Sequence, residues 1–285
     1  MQEIEALRAL PPWAWLSAFG VVGLCVGSFL NVVIHRLPKM LEHAWADECA
    51  ALRGEGPSER PRYNLLAPRS ACPACQHQIG ALENVPVVSW LWLRGKCSNC
   101  GIRISARYPL VESVAALLAV AAAWKFGPTW QSVAIAGLLL VLLALTAIDI
   151  DTQLLPDNLT LPLLWAGLIV NSFGLFVPLT TALWGAVFGY LVLWGVYWAF
   201  KLVTGKEGMG YGDFKLLAAL GAWLGWQMLP VIILLSSVVG AVVGIGMIVL
   251  RGRDRNIPIP FGPYLAGAGA LAVFFGPALV SAYLG

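Results

Sequence analysis

A run of apolar residues long enough to cross a membrane most constrains how this chain can fold. WAWLSAFGVVGLCVGSFLNVVI, residues 13–34, contains no charged residue, and about 20 apolar residues in a helix span the hydrocarbon core of a bilayer. The run leads directly into a polar segment and lacks the small-residue cleavage site of a secretory signal. It is therefore predicted to be a retained first transmembrane helix.

Similar apolar runs recur along the chain, and only 12% of its residues are charged, against about 25% in a soluble domain. Further spans are predicted to begin near Tyr108, Thr129, Leu159, Thr180, Phe214, Pro230 and Phe261. The predicted fold is an all-α polytopic membrane protein with about eight transmembrane helices. The predicted turns within 159–203 and at 226–230 are short and apolar. At either place the two neighbouring spans could form a single helix, which would change the topology.

Basic residues indicate which connections face the cytoplasm, because cytoplasmic loops carry an excess of Lys and Arg. With alternating spans, 16 of the 18 basic residues fall in three connections on one side, which places those connections in the cytoplasm and both termini outside. These basic residues are Arg36, Lys39, Arg53, Arg60, Arg62, Arg69, Arg94, Lys96, Arg103, Arg107, Lys201, Lys206, Lys215, Arg251, Arg253 and Arg255. The predicted organisation is a first helix at 1–34, a cytoplasmic segment at 35–107 and a membrane domain at 108–285.

Four of the chain's six cysteines form two CxxC pairs within the cytoplasmic segment. CPAC and CSNC, which are separated by 21 residues, contain Cys72, Cys75, Cys97 and Cys100. Two such pairs can present four thiolates to one tetrahedral zinc ion, and a site with four protein ligands is structural. Two disulfides or redox chemistry are the alternatives, although a reducing cytoplasm disfavours disulfides. His43 and His77 are alternative ligands, whereas Cys25 and Cys49 lie apart from the pairs.

Five acidic residues cluster at two predicted cytoplasmic membrane edges, in AIDIDTQLLPDN and KEGMGYGDFKLL. They are Asp149, Asp151, Asp157, Glu207 and Asp213. A carboxylate near lipid is costly and usually faces protein or water for a functional reason. Two facing carboxylates can share a proton, so that one activates water while the other polarises a carbonyl, as in aspartic proteases. Glycines at 208, 210 and 212 would let a substrate chain approach closely.

These acids can also be interpreted as residues without a catalytic role. Asp213 is a suitable N-cap for a helix that begins at Phe214, and Asp157 is a suitable turn or cap residue. The remaining acids would then be solvated loop residues, or the group would bind a cation. An ion transporter or channel with a zinc-stabilised cytoplasmic loop, or a purely structural membrane protein, would be compatible with these features.

Several motifs in fixed order resemble a known family. GSFLNVVIHRLP, the two CxxC pairs, AIDIDTQLLPDNLTLP and GMGYGDFKLLAALGAWLGW together resemble the type IV prepilin leader peptidases, in the bifunctional prepilin peptidase/N-methyltransferase branch. The resemblance runs from Gly27 to about Gly225, and a further similar element is IPFGPYLAGAG.

The resemblance implies a membrane aspartic endopeptidase whose catalytic acids are Asp149 and Asp213, with Asp151 and Asp157 as the other candidates. It implies removal of a short basic leader from type IV prepilins and type II secretion pseudopilins at the cytoplasmic face of the bacterial inner membrane. It also implies N-methylation of the new amino terminus with S-adenosylmethionine. The cysteine segment is the expected place of methyl transfer, but no GxGxxG motif locates the methyl donor. The implied cofactors are zinc and S-adenosylmethionine, membrane lipid surrounds the chain, and no nucleic-acid partner is expected.

The cytoplasmic segment also contains acidic residues that could attract a basic leader by complementary charge. They are Glu42, Asp47, Glu48, Glu55 and Glu59.

Overall fold

The computed structural model of the chain describes residues 11–56, 60–251 and 259–284. Its described residues form helices and two isolated antiparallel bridges, and they contain no strand. The chain divides into two compact units, Met1–Leu140 and Val141–Gly285. Arg8, Glu59, Arg253 and Arg255 lie outside the described residues, so the predictions that involve them stay predictions.

The first unit contains helices α1 (Pro12–Leu52), α2 (Val88–Trp92) and α3 (Arg107–Phe126), and the first part of α4 (Trp130–Thr152). α1 and α3 pack closely because small residues lie at their crossing. A Cβ atom built on Gly23 would lie 2.7 Å from Ala116 Cα, and one on Gly27 would lie 2.8 Å from Glu112 Cα. α1 continues to Leu52, so the predicted cytoplasmic segment begins as helix.

The second unit contains the end of α4, followed by α5 (Asp157–Ser172), α6 (Leu179–Thr204), α7 (Tyr211–Leu224), α8 (Leu229–Arg251) and α9 (Gly262–Leu284). α7 packs against α5, α6 and α9, and 10 of its 14 residues are buried. α6 approaches α7 at glycines: a Cβ atom on Gly189 would lie 2.7 Å from the Leu217 carbonyl oxygen, and Gly185 faces Gly221.

Each predicted span coincides with a helix, and the predicted starts after the first helix lie within three residues of the observed ones. Within the described ranges, however, five helices are long and apolar enough to cross a membrane: Pro12–Leu52, Arg107–Phe126, Trp130–Thr152, Leu179–Thr204 and Trp226–Met247. The predicted count of eight spans is therefore not confirmed. The all-α fold of a membrane protein is confirmed, and many large apolar side chains of these helices are exposed, as lipid contact requires.

Candidate active site and cysteine cluster

Asp149 lies in the last turn of α4 and is only 4% exposed. Its Oδ2 atom accepts a hydrogen bond of 3.0 Å from the backbone N–H of Gly262, the first residue of α9. The first N–H groups of a helix have no partner within the helix, and this end carries a partial positive charge. α9 therefore holds the Asp149 carboxylate by a charge-assisted hydrogen bond.

Asp213 is the third residue of α7 and is 6% exposed. The helix begins at Tyr211 with Gly210 as its N-cap, so the alternative that Asp213 caps a helix starting at Phe214 is wrong. Burial of a carboxylate in the first turn of a helix places it near the positive end of the helix dipole. Both acids of the candidate pair are therefore buried near helix N-termini.

The side chain of Leu155 links the surroundings of the two acids. A Cβ atom on Gly212, next to Asp213, would lie 2.6 Å from Leu155 Cβ. A Cβ atom on Gly262 would lie 3.1 Å from both Leu155 methyl carbons and 2.6 Å from Asp149 Oδ2. The carboxylate of Asp149 is close enough to repel that of Asp213 electrostatically. The structure thus brings the two acids into one site of the second unit.

The other acidic candidates lie in different environments. Asp157 begins α5, where Pro156 is the N-cap, and its oxygens accept bonds of 2.6 and 2.7 Å from Lys215 Nζ. Asp151 is exposed. Glu207 accepts a 2.8 Å hydrogen bond from Lys201, which lowers the pKa of the Glu207 carboxyl. Of the five clustered acids, Asp149 and Asp213 are the two that are buried.

Two residues of this site had no predicted role. Leu155 lies within DIDTQLLPDN and Gly262 within IPFGPYLAGAG, and both segments stood out in the sequence. Their roles depend on tertiary contacts with Asp149 and Gly212, which no local pattern of residues reports. The one sequence feature that could have pointed to Gly262 was the element IPFGPYLAGAG, which resembles the family although it carries no acid.

An apolar cavity of about 410 Å³ lies in the second unit. α6 and α8 contribute its walls, including Leu193 and Ile233. Met209, from the turn that leads to Asp213, and Phe261, directly before Gly262, also line it. The cavity therefore borders the chain segments that position both carboxylates.

The four predicted cysteines form one cluster in the first unit. Their sulfur atoms all lie within 4.8 Å of one another. Cys72 Sγ lies 3.8 Å from Cys100 Sγ, and Cys75 Sγ lies 3.9 Å from Cys97 Sγ. Sulfurs at the corners of a tetrahedron around zinc are about 3.8 Å apart when each Zn–S bond is about 2.3 Å. These separations are far longer than a disulfide bond, and all four cysteines are free.

Each CxxC pair lies in a tight loop of the same geometry. The N–H of Cys72 bonds to the His77 carbonyl, and the N–H of Cys97 bonds to the Ile102 carbonyl, both at 2.9 Å. The residue after each second cysteine has positive φ: Gln76 at 58° and Gly101 at 70°. Two equivalent loops therefore present two sulfurs each to a common point.

The clustered thiols shift one another's pKa values, as closely spaced acids do. The backbone N–H of His77 and the side chain of Asn99 lower the pKa of Cys75 to about 6. At Cys100 the backbone N–H of Ile102 favours the thiolate, but desolvation and the neighbouring cysteines raise its pKa to about 11. Several thiolates this close repel one another unless a cation lies among them, which suits a metal. His77 instead contacts Glu83, with Nε2 and Oε2 3.3 Å apart.

Comparisons with known proteins also divide the chain into two regions, which match two different family models. Residues 21–126 match the family model described as the bacterial peptidase A24 N-terminal domain, and residues 135–245 match the type IV leader peptidase family. A protein of Aeromonas salmonicida is 58% identical over 276 residues, which cover 96% of this chain and 95% of the relative. The chain belongs to the type IV leader peptidase family. This confirms the predicted resemblance.

Other members of the family are equally similar along their whole length. A protein of Stutzerimonas stutzeri is 58% identical over 100% of this chain and 98% of the relative, and one of Pseudomonas aeruginosa is 58% identical over 96% and 94%. All three relatives are named prepilin leader peptidase/N-methyltransferase. No solved structure matches the chain. The ion transporter alternative has no support among these relatives.

The two family regions separate the two clusters. The N-terminal region contains the four cysteines, and the leader peptidase region contains both Asp149 and Asp213. Gly262, which donates to Asp149, lies beyond the matched regions.

Proposed function

We propose that this chain removes the leader from prepilins and N-methylates the amino terminus that cleavage exposes, with Asp149 and Asp213 as the peptidase's catalytic acids. The observation that carries the assignment of the acids is that, of the five clustered acids, these two are buried, one at each end of a link formed by Leu155. The names of relatives that match nearly the whole chain support the two reactions.

Peptide hydrolysis at this pair requires the acids to be in different protonation states. The ionised carboxylate takes a proton from water, and the resulting hydroxide attacks the scissile carbonyl carbon. The protonated carboxyl donates a hydrogen bond to the carbonyl oxygen and stabilises the charge that develops there. The carboxyl that took the proton from water then gives it to the leaving amine as the C–N bond breaks. Repulsion between neighbouring carboxylates favours one shared proton, so the pair titrates as a unit.

The proposed substrates are type IV prepilins and type II secretion pseudopilins. The cavity beside Met209 and Phe261 is apolar, and it suits an apolar side chain close to the scissile bond. Exposed Glu42 and Glu48 on the extension of α1 supply negative charge that attracts a basic leader. Asp47 and Glu55 already pair with Arg60 and Arg53 at 3.6 and 3.1 Å.

The four-cysteine cluster is proposed to hold one structural zinc ion. Cys72, Cys75, Cys97 and Cys100 supply all four ligands, which leaves no position for a reacting water. The zinc ion would hold the two CxxC loops together in a segment that has little other regular structure.

N-methylation requires a neutral amine and a methyl donor. S-adenosylmethionine supplies the methyl group in the proposed reaction. The cysteine-containing segment is the proposed place of this step, because the peptidase acids occupy the other unit. We propose a three-part organisation with boundaries after residues 34 and 107, in the bacterial inner membrane, with both acids on the cytoplasmic side.

Substitution of single acids tests the peptidase assignment. Asp149→Asn and Asp213→Asn are compared with Asp151→Asn, a matched control because Asp151 is an exposed acid on the same helix as Asp149. Cleavage of a prepilin is followed by its loss of mass, and zinc content and thermal unfolding report folding. Loss of one general acid or base lowers the rate about 10²- to 10⁴-fold.

The expected result is that both buried-acid variants fold and lose cleavage, whereas the control cleaves like the wild type. Near-normal cleavage by either buried-acid variant would remove that residue from the pair. A wild-type protein that cleaves no prepilin would refute the proposed activity itself.

A further inference from the structure

Five of the large apolar side chains that are exposed in the polar segment with the cysteines lie within 11 residues of the chain. They are Leu82, Val85, Val88 and Leu91, each three residues from the next, and the adjacent Trp92, and we call them the apolar strip. Leu82 and Trp92, at its two ends, are 86% and 83% exposed. A concentration of exposed large apolar side chains of this kind marks an interaction site rather than the ordinary surface of a soluble domain.

The strip is attached to a membrane-spanning helix. The backbone N–H of Val87 donates a 2.7 Å hydrogen bond to Glu112 Oε2, and Glu112 lies in the second turn of α3. The Trp90 indole donates a 3.2 Å bond to the carbonyl of Ile104, three residues before α3 begins. These bonds place the strip beside the first turns of a helix that crosses the membrane, where the polar and hydrocarbon layers meet.

The backbone at the point of attachment is strained. Val87 has φ 60° and ψ −48°, and the N–H of Val88 bonds to the Pro86 carbonyl at 2.5 Å. This is a γ-turn with positive φ, which is rare and costly for a β-branched residue. Strain of this kind persists only where the surroundings enforce it. Buried Glu112 binds the strained residue, which fixes the strip's attachment to α3.

Basic residues follow the strip directly. Arg94, Lys96 and Arg103 are exposed between the strip and α3, and Arg107, the first residue of α3, is also exposed. Basic residues at this level are attracted to anionic lipid headgroups. Glu83, the acid within the strip, is engaged with His77 and the N–H of Gly80. The charge beside the apolar surface is therefore positive.

We propose that the apolar strip is buried in the interfacial layer of the membrane and anchors the cysteine segment to the lipid surface. The combination is that of an interfacial anchor: apolar side chains with a tryptophan at the boundary, flanked by positive charge. Lipid is the occupant because the bond to Glu112 sets the strip at the level of the bilayer surface. This anchor does not depend on which reaction the chain catalyses.

Photo-cross-linking to lipid tests the anchor in the intact protein. A benzophenone amino acid is placed at residue 92, at residue 82 or at residue 52, in bilayer nanodiscs of phosphatidylethanolamine and phosphatidylglycerol. Leu52 is a matched control, because it is also apolar and is 89% exposed. It lies 18 residues beyond the apolar run of α1, about 27 Å along the helix axis.

After irradiation, mass spectrometry measures the protein that carries a lipid adduct, and zinc content confirms folding of each variant. We expect about tenfold more lipid adduct at residues 92 and 82 than at residue 52, since interfacial side chains penetrate the acyl boundary. The proposal would be overturned if residue 92, residue 82 or both carried no more lipid adduct than residue 52. Cross-linking of the strip chiefly to protein would also overturn it, because another chain would then occupy the surface.

Discussion

Gly262→Ala is the sharpest test of how the active site holds Asp149. The new Cβ atom would lie 2.6 Å from Asp149 Oδ2 and 3.1 Å from the two methyl carbons of Leu155. The carboxylate must move away by several tenths of an ångström, and its hydrogen bond from the Gly262 N–H is weakened or lost. A hydrogen bond to a charged group contributes about 1.5–3 kcal/mol. We therefore expect the substitution to lower kcat/KM for cleavage about 10- to 150-fold.

The assay measures kcat/KM for prepilin cleavage, with thermal unfolding as the control for folding. Gly267→Ala places the same methyl group on the same helix, and no atom lies within 4 Å of its Cβ position. We expect Gly267→Ala to cleave at the wild-type rate or close to it. If Gly262→Ala also cleaves at that rate, the N-terminus of α9 does not position the carboxylate, and our account of the site is wrong.

Three other predictions concern zinc, packing and the unused acid. Zinc content, measured after equilibration across a pH series, should fall in acid because protons compete with zinc for the four thiolates, and the loss should lie below the free Cys75 pKa of about 6 since bound zinc favours the thiolate; a zinc content that stays constant across the acidic series would contradict it. Gly189→Ala should destabilise the protein by about 1–3 kcal/mol in thermal unfolding, since its Cβ atom would meet the α7 backbone, whereas Gly195→Ala has no atom within 4 Å of its Cβ; equal stability of the two would refute the close crossing. Asp157→Asn should retain cleavage, because its partly exposed pair with Lys215 contributes about 1 kcal/mol or less; a loss as large as that of Asp149→Asn would assign Asp157 to the catalytic pair.

Hydropathy located the helices well but not their extents. Apolar length is visible in the sequence, so the predicted starts of later helices agree with the structure. α1 runs on to Leu52 because LEHAWADECAAL is rich in residues that favour helix. Hydropathy reports lipid preference rather than this backbone preference, and it ended the helix at Ile34.

The candidate site was predictable in its acids and cysteines but not in its supports. Asp149 and Asp213 stood out because carboxylates are rare in apolar helices, and the cysteines because their spacing suits zinc. Leu155 and Gly262 act only through contacts between distant segments. Leucine and glycine are common in such a chain, so residue type alone could not distinguish them.

The helix that carries Asp213 is too short to span a bilayer unaided. α7 has 14 residues and measures about 21 Å, against a hydrocarbon layer of about 30 Å. A helix this short in contact with lipid would thin the bilayer around it. α7 is instead enclosed by α5, α6 and α9, and Phe214 to Trp223 are buried apart from Lys215. Protein rather than lipid therefore surrounds the short helix. The position of Asp213 relative to the membrane surface should then not change when the lipid acyl chains become longer or shorter.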